Sequence, residues 1–230
     1  MRQLPLGVQL AVSLRFDTFV AGANAGAVEA LRRLARGAST APVWVYGPPG
    51  AGKSHLLQAA CAEAGKGGRS AAYLPLAQLR GEGPRLLDGF DQLGLVALDD
   101  LDAVAGDTAF EAALFTLYNG LAEQRGRLAV ASAGSPASIA IRLPDLASRL
   151  AASEVHRLEP LGEPAQAAAL RQRAERRGLE LPDETLAFLT RRAPRDFATL
   201  CRMLDELDAE SLAARRRLTV PFVREWLARG

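Results

Sequence analysis

The sequence predicts an α/β fold with a five-stranded parallel sheet, followed by a small bundle of four helices. A glycine-rich loop lies between an apolar run and a helical pattern, and further apolar runs alternate with amphipathic stretches as far as residue 160. Only helical patterns follow from there. We therefore expect a flexible N-terminal peptide over 1–13, a sheet core over 14–160 and a helical lid over 161–230.

The composition of the chain favours a folded protein and excludes several classes of function. Hydrophobic residues make up 49% of the 230 residues, which is enough to bury a substantial core. The formal net charge of +2 is too small to argue for nucleic-acid binding by itself. Cys61 and Cys201 have no metal-type spacing. No signal peptide and no apolar run of membrane-spanning length is present, so we expect a cytoplasmic protein without a membrane partner.

The segment from Gly47 to Ser54 matches the phosphate-binding pattern G-x-x-x-x-G-K-[ST] at every fixed position. It follows a predicted strand at 43–46 and precedes a predicted helix at 55–64. Glycines allow backbone N–H groups to wrap a phosphate, and the positive end of the helix faces the anion. The candidate nucleotide-binding residues are Gly47, Pro48, Pro49, Gly50, Ala51, Gly52, Lys53, Ser54 and His55.

Two side chains of this loop have distinct expected roles. Lys53 is placed for the outer phosphates of a nucleotide, and the Ser54 hydroxyl is placed for a magnesium ion. The alternative is a glycine- and proline-rich turn with a chance lysine. The complete motif between a strand and a helix favours the nucleotide site.

A second motif, from Gly94 to Asp100, is an apolar run that ends in two aspartates. Such a run is typical of a central parallel strand covered on both faces, and ligands bind beyond the carboxyl ends of these strands. We interpret it as a Walker B motif, in which Asp99 holds magnesium through water and Asp100 orients the attacking water. The alternative for Asp100 is a helix cap without chemistry.

Apolar patterns place the other elements. The further strands are predicted at 70–74, 94–98, 128–132 and 154–158, and the helices of the lid at 164–177, 183–192, 196–214 and 220–228. Asn24 is predicted to cap the first helix, and Asp107 or Thr108 to cap a later one. At the end of the fourth strand, only Ser132 and Ser135 are available to sense a γ-phosphate.

With the two motifs, an arginine near the end of the segment 143–150 and a helical lid, the chain resembles the AAA+ ATPases. Within them it is most similar to the branch of the bacterial replication initiator DnaA. The segment from Phe16 to Asn24 resembles the entry segment of that branch, which implies that Phe19, Val20 and Asn24 help to hold the adenine. The segments 3–6, 143–150, 181–182 and 218–223 resemble the Hda-type regulators of DnaA, and no helix-turn-helix DNA-binding domain is expected.

The resemblance implies a protein that binds ADP or ATP with Mg²⁺ and has DnaA as its partner. Arg149 falls at the arginine-finger position, from which a guanidinium neutralises charge on a γ-phosphate held by another molecule. The alternative is a surface ion pair of little energetic value. A homo-oligomer is a further possibility, because the finger needs a neighbouring molecule, and contact with DNA is expected to be weak or indirect.

The N-terminal residues Gln3, Leu4 and Leu6 resemble the peptide by which the Hda-type regulators bind the sliding clamp. Clamp binding would bring the protein to the nucleoid. The alternative is that the two leucines pack on the surface of their own chain.

Two departures from the family pattern concern the chain's own ATP hydrolysis. The strand-end sensor position holds Ala133 where related initiators carry an acid, and the sensor arginine of the lid falls near Ala198. Arg195, one helical turn away, is the candidate substitute. We therefore expect slow or absent turnover without a partner. The alternative functions are an autonomous AAA+ ATPase, acting as a DnaA paralogue or helicase loader, and a DNA-binding initiator fragment.

Overall fold

The computed structural model describes residues 14–192 and 197–229. These residues divide into two compact units. The first comprises 14–48 and 52–159, and the second comprises the described residues from 160 onward, with which 49–51 are grouped. Each unit has an apolar core of its own.

The first unit is built on five strands: β1 (Val43–Tyr46), β2 (Ala71–Pro75), β3 (Leu95–Asp99), β4 (Leu128–Ser132) and β5 (Glu154–Arg157). All neighbouring strands are parallel, in the order β2-β3-β4-β1-β5. Every residue of β3 and β4 is buried, as expected of strands that are covered on both faces. The predicted five-stranded parallel sheet is confirmed.

The strand order brings the two sequence motifs to one edge of the sheet. β4 lies between β1 and β3, so that Tyr46 pairs with Ser132, and Pro75 of the edge strand β2 pairs with Asp99. Parallel strands all end at the same edge, where ligands bind in open α/β sheets. The glycine loop after β1 and the two aspartates at the end of β3 therefore face the same region.

Five α-helices accompany the sheet: α1 (Ala25–Arg36), α2 (Lys53–Lys66), α3 (Leu76–Leu79), α4 (Thr108–Glu123) and α5 (Pro144–Ala151). Asp107 caps α4, because its carboxylate accepts the N–H groups of Ala109 and Phe110. Asn24 occupies the cap position of α1, but its side chain makes no capping bond. Its buried amide is instead bonded to both backbone groups of Glu159, so the predicted capping role is wrong.

The second unit contains α6 (Glu163–Arg176), α7 (Asp183–Arg192), α8 (Phe197–Ala214) and α9 (Val220–Leu227). These helices match the four predicted in this part of the chain. Arg173 of α6 forms a bidentate ion pair with Asp205 of α8, and Arg177 pairs with the same carboxylate. Of the helices within 14–192 and 197–229, none is long and apolar enough to cross a membrane.

Candidate functional site

The loop that joins β1 to α2 depends on glycine for two physical reasons. Gly47, Gly50 and Gly52 have φ angles of 157°, 78° and 93°, which L side chains rarely adopt. A Cβ atom at Gly47 would lie 2.5 Å from the carbonyl oxygen of Leu158, and one at Gly52 would lie 2.5 Å from the Phe19 ring. The loop is therefore packed against neighbouring segments of the chain, which its sequence pattern did not show.

Positive charge and backbone N–H groups converge where this loop becomes α2. Gly52 occupies the cap position of α2 and has no side chain to accept the first N–H groups of the helix. Lys53 Nζ donates to the carbonyl oxygens of Gly47 and Pro48, at 2.7 Å and 3.1 Å, which holds the ammonium group beside the loop. Donors of this kind at the positive end of a helix form an anion-binding site.

The carboxylate of Asp99 at the end of β3 is held from two sides. It is 1% exposed; its Oδ2 accepts the Tyr73 hydroxyl at 2.7 Å, and its Oδ1 accepts the Asp100 N–H at 3.0 Å. Burial, together with the adjacent carboxylate, raises the pKa of the Tyr73 phenol, so this group remains a hydrogen-bond donor. Nothing in the sequence pattern singled out Tyr73, because the contact joins side chains of neighbouring strands.

The backbone leaves β3 at Asp100. This residue has a left-handed conformation, with φ 54° and ψ 47°, although it is not a glycine. Its side chain makes no capping hydrogen bond to the following turn, which removes support for the alternative role as a cap. Burial raises the pKa of its carboxyl group, and so do Asp99 and Asp102, whereas Lys53 lowers it. Asp100 therefore lies within electrostatic reach of the loop lysine.

The end of β4 differs from the sequence interpretation. Ser132 is fully buried, where its hydroxyl accepts the Trp44 Nε1–H at 2.8 Å and donates to the Gly134 carbonyl at 2.6 Å. A hydroxyl committed to the core cannot sense a phosphate, so Ser132 is a wrong candidate. The Ala133 N–H donates to Asp102 Oδ1 at 2.8 Å, which places a carboxylate beside this strand end.

The entry segment before α1 packs on the first turn of α2. The Phe19 ring contacts the His55 ring edge-to-face, with ring centres 5.2 Å apart. His55 Nε2 lies 3.0 Å from the carbonyl oxygen of Arg15 and 3.4 Å from the Thr18 hydroxyl. Phe19 and His55 are thus brought together at the loop, and Val20 follows as a half-buried residue.

Three predicted features stand apart from this group. The Asn24 side chain is bonded to Glu159, as described above, rather than to the glycine loop. Arg195 and the N-terminal residues Gln3, Leu4 and Leu6 lie outside the described residues. Their expected roles stay predictions.

Arg149 lies in the last turn of α5, and its side chain is exposed. The carbon of its guanidinium group is 5.2 Å from the centre of the Phe115 ring and 5.5 Å from that of Tyr118, both on α4. Within the described part of the chain, no carboxylate forms an ion pair with it. The surface ion pair considered as the alternative is therefore not observed there.

A buried carboxylate that sequence reasoning did not find fixes the start of the arginine-bearing helix. Glu111 of α4 is 1% exposed and accepts the N–H groups of Gly106, Arg142 and Leu143, at 2.7 Å, 3.0 Å and 2.8 Å. Arg142 and Leu143 immediately precede α5. Glu111 thereby fastens the N-terminal end of the helix that carries Arg149.

The residues assigned to magnesium fit an ion that is held largely by a nucleotide. Among the described residues, no group of three or more His, Cys, Asp or Glu side chains could hold a metal ion by itself. Magnesium usually takes one or two protein ligands and completes its shell with water and phosphate oxygens. Ser54 at the start of α2 and the buried carboxylate of Asp99 supply a donor set of that size.

Comparisons with known proteins agree with this architecture. The family model "Bacterial DnaA ATPase domain" matches residues 10–74, "Hda, lid domain" matches 163–227, and "RNA helicase" matches 43–122. The crystal structure of DnaA domain III from Thermotoga maritima has a TM-score of 0.78 and 22% identity, covering 94% of this chain and 96% of that one. The chain therefore has the AAA+ fold, and two of its segments are similar to the DnaA ATPase domain and to the Hda lid.

Two further solved structures resemble this chain. DnaA bound to AMPPCP and single-stranded DNA has a TM-score of 0.71 and 21% identity, over 87% of this chain and 66% of that one. The RuvB branch-migration motor of Thermotoga maritima has a TM-score of 0.62 and 14% identity, over 94% and 72%. The predicted AAA+ fold is confirmed, and the match to the Hda lid spans α6 to α9.

Proposed function

We propose that this Hda/DnaA-like protein regulates replication initiation by stimulating the hydrolysis of DnaA-bound ATP through Arg149. It does so with ADP or ATP bound in its own site and while docked on the sliding clamp. The observation that carries the proposal is the exposed Arg149, stacked on two aromatic rings at the surface of a DnaA-like core. The lid of the same chain matches the Hda family model, which supports a regulator of DnaA.

The geometry of the glycine loop supports nucleotide binding. Lys53 and the first N–H groups of α2 offer donors to the phosphates, and the Phe19–His55 pair would contact the base beside Gly52. Ser54 and Asp99 would hold Mg²⁺, which neutralises phosphate charge when it is bound. The DnaA structure that contains AMPPCP shares this fold and adds support for the assignment.

Arg149 has the environment that a finger for another molecule requires. A guanidinium that acts on a neighbouring nucleotide must lie at the surface, free of a competing carboxylate and restricted in orientation. The two rings on α4 restrict it without neutralising it, because a cation–π contact leaves the guanidinium N–H groups able to donate. For GTPases, such a finger raises the rate by about 10³–10⁵.

The chain's own nucleotide is expected to turn over slowly. Asp100 is present as a candidate for orienting water, but the Ser132 hydroxyl at the end of β4 is committed to Trp44 and Gly134. Bound nucleotide would then act mainly as a structural ligand. Fast ATP hydrolysis by the isolated protein would instead favour the alternative function, an autonomous AAA+ ATPase or helicase loader.

The decisive experiment mixes the protein with DNA-loaded clamp and ATP-bound DnaA and measures hydrolysis of the DnaA-bound ATP. Arg149→Ala is expected to reduce the stimulation by about 10³-fold or more. Arg85→Ala is the matched control, because the Arg85 side chain is 90% exposed and its partner, Asp88, is exposed as well. Equal stimulation by the wild type and Arg149→Ala would remove Arg149 as the finger.

The clamp-docking step is tested separately. A double substitution, Leu4→Ala with Leu6→Ala, is expected to abolish binding to the immobilised clamp, whereas Val8→Ala with Leu10→Ala leaves it intact. Tethering at the clamp raises the effective concentration of the protein without new contacts to DnaA. The Leu4/Leu6 variant should therefore regain stimulation when its concentration is raised. Clamp affinity equal to that of the wild type would refute the docking peptide.

A further inference from the structure

Tyr73 is placed between the two motifs of the nucleotide site, although it belongs to neither. It lies in the edge strand β2, and its hydroxyl donates to Asp99 Oδ2 at 2.7 Å. The side chains of Ser54 and Gln58, in the first turns of α2, interact with the same hydroxyl. One phenol group therefore bonds the carboxylate at the end of β3 and interacts with the serine of the glycine loop, the two groups assigned to magnesium.

We propose that Tyr73 is a positioning residue for magnesium-dependent nucleotide binding, through which Asp99 and Ser54 are held in the arrangement that receives the metal. The proposal rests on the proposed function in one respect, namely that the glycine loop binds a nucleotide with Mg²⁺. Tyr73 itself is not expected to touch the metal or the phosphates.

The hydrogen-bonding capacity of each group supports this role. A phenol has one O–H to donate, and Tyr73 donates it to Asp99, so that toward Ser54 and Gln58 the phenol oxygen can act only as an acceptor. A serine hydroxyl that donates to Tyr73 keeps its own lone pairs for a cation. Each Asp99 oxygen is bound to one donor and retains a second acceptor site for metal-bound water.

The surroundings of Tyr73 explain why a side chain of this length is needed. Asp99 is buried, and its partner across the β2–β3 ladder is Pro75, a residue whose side chain has no polar group. Tyr73, two residues earlier on the same face of β2, supplies the side-chain donor. Outer-shell hydrogen bonds of this kind orient metal ligands, and their loss typically costs about 10–100-fold in metal affinity or activity.

The test compares ADP affinity in Mg²⁺ with ADP affinity in EDTA, by fluorescence titration of the full chain with a labelled ADP. Tyr73→Phe retains the ring and removes only the hydroxyl. It is expected to weaken binding by about 10-fold or more in Mg²⁺ and by less than about 2-fold in EDTA. Tyr46→Phe, at the end of β1, is the matched control and should leave both affinities unchanged.

A double-substitution cycle tests the link to Ser54. Ser54→Ala is expected to lower the magnesium dependence of ADP affinity. Adding Tyr73→Phe to Ser54→Ala should weaken ADP binding in Mg²⁺ by less than about 2-fold further, because both changes break the same set of interactions. Effects that multiply would overturn the coupling. Thermal unfolding without nucleotide checks that each variant is folded. Tyr73→Phe is expected to fold, because position 73 is half-buried on an edge strand and accepts a phenylalanine ring.

Each outcome separates the inference from the function on which it rests. If the wild type binds ADP and Tyr73→Phe keeps the wild-type ratio of the two affinities, the inference fails while nucleotide binding stands. An equal loss in Mg²⁺ and EDTA would assign Tyr73 to the stability of the site and would also overturn the inference. If the wild type binds ADP in neither condition, the proposed nucleotide site and the inference both fail.

Discussion

The guanidinium carbon of Arg149 lies 5.2 Å from the centre of the Phe115 ring, across the gap between α5 and α4. Tyr118, one helical turn farther along α4, presents its ring 5.5 Å from the same carbon. Glu111, one turn before Phe115, anchors the start of α5. One side of α4 thus holds α5 at its beginning and the arginine at its end.

Removing both rings is expected to lower the stimulated hydrolysis without weakening the complex with DnaA. Phe115→Leu with Tyr118→Leu eliminates two cation–π contacts, each worth about 0.5–1 kcal/mol at an exposed site, and so costs about 10-fold in maximal rate. Tyr118→Phe retains the ring and should behave as the wild type. The measurement is the hydrolysis rate against protein concentration; a change confined to the half-saturating concentration would indicate direct contact of the rings with DnaA.

Glu111→Ala is expected to destabilise the first unit by about 3 kcal/mol, because three backbone N–H groups lose their buried carboxylate acceptor. Glu111→Gln retains one acceptor oxygen and should lose less. Urea unfolding followed by Trp44 fluorescence measures the effect in a Trp226→Phe background, since the chain has two tryptophans and Trp226 belongs to the second unit. A loss below about 0.5 kcal/mol would contradict the anchoring role.

Gly47→Ala is expected to destabilise the loop by about 1–3 kcal/mol and to weaken nucleotide binding, because a Cβ would lie 2.5 Å from the Leu158 carbonyl oxygen. Gly65→Ala is the control: it sits inside α2, and a Cβ added there would have open space for 4 Å around it. That substitution should stabilise the protein by about 0.4–1 kcal/mol. The two variants are compared by thermal unfolding and ADP titration, and equal behaviour would contradict the close contact at Gly47.

Asp100→Asn is expected to stabilise the nucleotide-free protein at about pH 7, with a smaller gain at about pH 4. The pKa of Asp100 is raised above 3.8 in the folded state by burial, Asp99 and Asp102. The folded protein therefore binds this proton more tightly than the unfolded chain, and the carboxylate lowers stability as the pH rises through the raised pKa. Asparagine cannot ionise and tolerates the left-handed backbone. Thermal unfolding at both pH values checks the sign, and an equal gain at both would contradict it.

Much of the fold was predictable because its elements are set by short-range patterns. Buried parallel strands are indicated by the apolar runs at 43–46, 94–98 and 128–132 and by the glycine loop that follows the first of them. The Hda-type lid was predictable from helical periodicity and residue resemblance.

The side-chain partnerships at the site were not predictable in the same way. The Tyr73–Asp99 contact spans 26 residues, and Ser132 and Trp44 are 88 residues apart. Glu111 has the pattern of an ordinary acidic residue in a first helical turn, and only the fold reveals that its carboxylate is buried. Local propensity identifies elements and motifs, whereas partners of this kind depend on the order of strands in the sheet.

The two hydrogen bonds between Asn24 and Glu159 join positions 135 residues apart in the chain. Asn24 stands just before α1, and Glu159 is the last residue of the first unit. The residue before α1 and the residue that closes the first unit are thus bonded to each other, although most of the sheet lies between them in the chain. Such proximity suits circular permutation of the segment between them, in which a short linker joins these two positions and new ends open in an exposed turn.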